Sequence, residues 1–65
     1  MTGLERKIEL MKKGVTISSI ARDLKLSFGH VQKVVAGERR SPNVERAIAT
    51  AIGRPVTRVF PPSAA

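Results

Sequence analysis

His30 is the one side chain whose type suits proton transfer near neutral pH, and the sequence gives it little to work with. Asp23 falls on a different predicted helix, and no activated nucleophile accompanies the two. These residues argue against an enzyme, and no cofactor or small-molecule substrate is implied. With no Cys and a single His, neither a disulfide framework nor a zinc site of the usual ligand spacing can be built. The chemistry that remains belongs to cations. Twelve Lys and Arg against five Asp and Glu give 65 residues a formal charge of +7, so the expected partner is a polyanion. "GERRS" at 37–41 concentrates part of that charge, with Arg39 and Arg40 side by side in a predicted loop.

Those side chains need a scaffold, and a chain this short is one domain held by packing alone. An apolar share of 42% suffices for a core, although the only aromatics are Phe28 and Phe60. No apolar stretch approaches the roughly 18 residues of a membrane span, and no leader pattern opens the chain. A cytoplasmic protein without a membrane partner is expected.

Thr2 and Glu5 form a capping box that starts a helix over 3–13, with Leu4, Ile8 and Met11 as its predicted apolar face and Gly14 as its stop. Thr16 caps a short second helix with Ile17, Ile20, Ala21 and Leu24 inward. Ser27 caps a third over 27–36 that turns Val31, Val34 and Val35 inward and ends at Gly37. Ser41 as cap, Pro42 at the first helical position and Glu45 in the first turn begin a fourth, with Val44, Ile48, Ala51 and Ile52 buried and Gly53 ending it. Pro55 starts a last turn carrying the ridge Val56, Val59 and Phe60, and Pro61 with Pro62 stops it. No strand is predicted. The reading is an all-α domain of four to five helices over 1–60, followed by a flexible tail at 61–65.

Two short helices joined by "KLS" form a helix-turn-helix unit, whose second helix stands free to enter a major groove. Ala21 is small where the two helices must approach, and Phe28, Gly29, His30, Gln32 and Lys33 are left as a reading surface. In "ISSIARDLKLSFGHVQKVVAG" and "ERAIATAIGRPVTRVFPP" the chain resembles the lambda-repressor-like and Cro-like helix-turn-helix family, nearest in look to the small Ner-type regulators of transposable phages. The likeness spans nearly the whole chain. It departs at the turn, where Lys25 stands in place of the usual Gly, at a strain of about 1 kcal/mol.

The resemblance implies a compact lambda-repressor-like fold and a sequence-specific transcriptional regulator that binds a double-stranded operator in two copies. It implies further that Ser27, Phe28, Gly29 and Lys33 face bases, with His30 and Gln32 beside them, and that Thr16 and Ile17 approach phosphate. Gln suits adenine, Lys suits guanine, and Phe28 suits a thymine methyl if it is not core. Arg39 and Arg40 suit backbone phosphates. The ridge at 56–60 either closes the monomer or supports a weak homodimer, with pairing on DNA as the other route. The competing function is a protein-interaction module, an antirepressor or small assembly factor, on the same helical scaffold.

Overall fold

A computed structural model describes residues 1–61, so the expected tail lies outside the described residues apart from Pro61. Five helices follow one another: α1 (Gly3–Lys12), α2 (Ile17–Leu24), α3 (Phe28–Ala36), α4 (Pro42–Ile52) and α5 (Val56–Val59). Among the described residues there is no strand. The all-α domain expected from the spacing of apolar residues is thus the one observed.

The helix starts follow from local chemistry. Thr2 Oγ1 accepts from the Glu5 amide at 3.1 Å while the Glu5 carboxylate accepts from the Thr2 amide at 2.9 Å, closing the capping box. That backbone N–H, first among its causes, holds the Glu5 carboxyl below its ordinary value. Thr16 and Ser27 cap α2 and α3 by accepting from the amides of Ser19 and His30. At α4 the expected hydroxyl cap does not form. Ser41 occupies the cap position without a side-chain bond, and only the return half of the motif is made, with the Glu45 carboxylate accepting from the Ser41 amide at 2.8 Å.

Helix α4 touches α1, α2 and α3, and α5 folds back on it. Val44, Ile48, Ala49 and Ile52 of α4 meet Ile20 and Ala21 of α2 and the three valines Val31, Val34 and Val35 of α3 in one core. Ala49 takes the central place expected of Ala51, which is only half-buried. Val59 and Phe60 are buried as well, so the terminal ridge closes the monomer, with Val56 left outside.

Helix α1 departs most from expectation. Leu4, Ile8 and Met11 are exposed, and the helix turns Leu10 and the charged Arg6 inward instead. The guanidinium explains the turn. Arg6 Nε donates to the Val35 carbonyl at 2.7 Å, and Nη1 donates to the carbonyls of Met1 and Val59 at 2.6 and 2.7 Å. Val35 and Val59 lie in the last turns of α3 and α5, where carbonyls have no partner within their helix. One side chain therefore caps two helix ends, with its charge beside the negative end of the α3 dipole and stacked 4.4 Å from the Phe60 ring centroid. Burial pushes the guanidinium below its ordinary pKa, and the charge of Arg40 adds to that.

Candidate nucleic-acid interface

The turn between α2 and α3 sets the angle of everything beyond it. Lys25 adopts the left-handed conformation at φ 57 and ψ 43 and is the only described non-glycine residue with positive φ. Its strain is offset by closure of the helix end, where the Leu26 amide donates to the Ala21 carbonyl at 2.8 Å. Ala21 is buried at the crossing of the two helices, while Leu26 in the turn is exposed.

Helix α3 is anchored by Val31, Val34 and Val35 along one stripe, and the opposite face carries Phe28, Gly29, Gln32 and Lys33 into solvent. Phe28 is 48% exposed, which answers whether it belongs to the core. A side chain added at Gly29 would meet nothing within 4 Å, so no packing within the chain requires glycine there. Its absence of a side chain leaves the backbone open to close approach from outside.

Two shallow depressions run along this face and share Ile17. The larger, about 670 Å3, brings Ile17 of α2 together with Gly29, Gln32 and Lys33 of α3, with Leu4 and Lys7 of α1, and with Glu38. The smaller, about 270 Å3, brings Thr16 and Ile17 to Phe28, again with Lys7 and with Met11 of α1. Six of the sequence-predicted residues, Thr16, Ile17, Phe28, Gly29, Gln32 and Lys33, thus line one continuous surface. Ser27 and Thr16 each accept a capping hydrogen bond and keep a hydroxyl hydrogen to donate.

The remaining predicted residues sit apart from the depressions. His30 is half-buried, and Arg39 Nη1 donates to its Nδ1 at 2.9 Å, which ties the loop after α3 back to that helix's first turn. In the neutral ring this leaves Nε2 carrying the proton. Arg40 is engaged elsewhere: it pairs with Glu45 at 3.2 Å and donates to the Pro61 carbonyl at 3.3 Å. Lys7 was missed by the sequence reading, although it lines both depressions. No local signal marks it, because its direction depends on Arg6 being the inward residue of α1. Lys12, by contrast, is paired with Glu9 at 3.1 Å.

No described cluster of His, Asp or Glu could hold a metal ion, and no described helix is long and apolar enough to cross a membrane. Searches of curated proteins and of solved structures returned no match. The winged helix-turn-helix DNA-binding family does match, over residues 5–63. No strand is present among the described residues to form a wing, so what the match and the geometry share is the helical part, α2 and α3 with their supporting helices. With nearly the whole length matched and the two helices set as that family's name requires, the chain belongs to the winged helix-turn-helix DNA-binding family.

Proposed function

We propose that the protein is a sequence-specific regulator of transcription, a phage or prophage repressor of the lambda-repressor-like, Ner-type kind, that reads the major groove of a double-stranded operator with α3. One observation carries this reading: α3 is anchored on its valine stripe while Phe28, Gly29, Gln32 and Lys33 stand together in solvent on the opposite face. Gln32 offers a bidentate pair to adenine and Lys33 a donor to guanine, with Ser27 and His30 at the near end of the helix. Thr16, Lys7 and Arg39 serve backbone phosphate, and Arg40 adds to them through guanidinium N–H groups beyond its pair with Glu45. Ile17 stands beside Thr16 where α2 approaches the duplex. Because Val59 and Phe60 are spent on the monomer's own core, two copies meet on a two-fold related site rather than through the terminal ridge. Such a protein works in the cytoplasm of a bacterial host.

Selection of bound duplexes from a random pool tests the reading, and a two-fold related motif is the expected result. Titration of Lys33→Ala and Lys12→Ala on selected and scrambled duplex at matched salt then separates reading from attraction. Lys33→Ala is expected to lose about 1 to 3 kcal/mol on the selected duplex only, and Lys12→Ala to weaken both alike with a smaller salt slope. Equal losses on both duplexes for Lys33→Ala would move base reading to Gln32 and His30. A pool that yields no motif would favour the protein-interaction module, a reading for which the exposed apolar side of α1 speaks.

A further inference from the structure

Three helices bring apolar side chains to one spot on the surface. Met11 from the last turn of α1, Ile17 from the first residue of α2 and Phe28 from the first residue of α3 converge on the smaller depression, and of these Met11 is 70% and Phe28 48% exposed. An exposed aromatic beside an exposed methionine is unfavourable unless something covers them. The surroundings restrict what that is. Lys7 and Thr16 line the same depression, so an occupant that presents an apolar group on an anionic, hydrogen-bonding body suits it. Through Ile17 it is continuous with the surface that carries Gly29, Gln32 and Lys33. In the major groove the one apolar feature of a base edge is the C5-methyl of thymine.

We propose that Met11, Ile17 and Phe28 form a thymine-methyl subsite, which selects a T·A pair beside the bases read by Gln32 and Lys33. The assignment rests on the groove-reading function proposed above and adds to it a residue of α1, outside the helix-turn-helix unit. Phe28 covers the methyl with its ring, Ile17 and Met11 close the sides, and Lys7 and Thr16 hold the flanking phosphate. Cytosine at the same position carries only a hydrogen at C5, so the three apolar side chains lose the methyl contact that favours T.

The test uses duplexes selected by the full chain from a random pool, with each thymine replaced singly by deoxyuridine, which removes the methyl and nothing else. Binding is followed by fluorescence anisotropy at one salt concentration. At one position in each half-site the replacement is expected to weaken binding about threefold to fivefold, the worth of one buried methyl, and elsewhere to leave it unchanged. Phe28→Ala and Met11→Gln are expected to abolish the difference between the thymine and uracil duplexes at that position, and thermal melting checks that both variants are folded. Selection of a motif with no uracil-sensitive position overturns the subsite and leaves groove reading in place. Failure to select any motif overturns both. A uracil-insensitive protein whose sedimentation shows self-association abolished by Phe28→Ala overturns it in favour of a second copy on this patch.

Discussion

The two sides of α1 depart from the usual division of a surface helix. Toward the core, beside the buried Leu10, lies Arg6, 5% exposed, with three carbonyls and an aromatic ring around it. Toward solvent lie Leu4 and Met11, about two-thirds exposed, and Ile8. Rotating α1 to bury the leucine and methionine would gain about 1.5 to 3 kcal/mol for each, yet it would expose Leu10 and strip donors from the carbonyls that end α3 and α5. A domain of this size has short helices, so a large share of its backbone groups sits at helix ends. Satisfying those ends decides which way α1 faces, and the apolar side is left for the surface where α2 and α3 begin.

Removing the charge from the inner side is the strongest way to break that contrast. Arg6→Met keeps the length and apolar stem of the side chain but leaves the Val35 and Val59 carbonyls buried without donors, so a loss of about 3 to 5 kcal/mol in chemical denaturation is expected. A loss under about 1 kcal/mol would mean that the carbonyls find other partners and that Arg6 does not set the helix direction. Phe60→Ala comes next, at about 3 kcal/mol, because it opens a cavity under α5 and removes the ring on which the guanidinium stacks. That melting is expected to be independent of protein concentration, since the ring is covered within one chain.

The same contrast explains what could be read from the residues in order. Capping is local chemistry, so Thr2 with Glu5, Thr16 and Ser27 announce three helix starts within a few residues, and Gly37 and Gly53 mark two stops. The valine stripe of α3 was equally legible, and with it the exposed face made of Phe28, Gly29, Gln32 and Lys33. In α1 the spacing of Leu4, Ile8 and Met11 fits a buried helical face as well as an exposed one. What decides is the meeting of Arg6 with carbonyls 29 and 53 residues away, which no window of the sequence contains. Lys7 was missed as a site residue for that reason, and Arg40, expected on backbone phosphate, also pairs with Glu45 at the start of α4. The left-handed turn at Lys25 was recognised only because the resemblance placed a glycine there.

A smaller effect probes the start of α1, where both sides share one anchor. The Glu5 carboxyl is held below its ordinary value near 4.5, chiefly by the Thr2 amide. Its folded form therefore binds a proton less readily than its unfolded form, and the stabilisation is fully present above the ordinary value and lost as pH falls through the depressed one. Melting temperatures recorded from pH 6 down to pH 3 are expected to fall less steeply for Glu5→Gln, which keeps an oxygen acceptor for the Thr2 amide but cannot titrate. Identical acid slopes in parent and variant would assign the slope to other carboxylates and detach the capping box from it.

The outer side of α1 should give the smallest effect on stability, and that near-zero result is what most sharpens the comparison. Leu4→Gln and Met11→Gln exchange exposed apolar side chains for one of similar length and similar helix propensity, so each is expected to change stability by less than about 0.5 kcal/mol. The free protein should also melt at the same temperature across a wide range of concentration, with or without the substitutions. A loss of several degrees that grows with concentration would show instead that a second copy covers Leu4 and Met11 in solution. In that case the apolar side would be an interface between copies rather than a face held open beside α3, and the orientation of α1 would owe as much to that partner as to the carbonyls bound by Arg6.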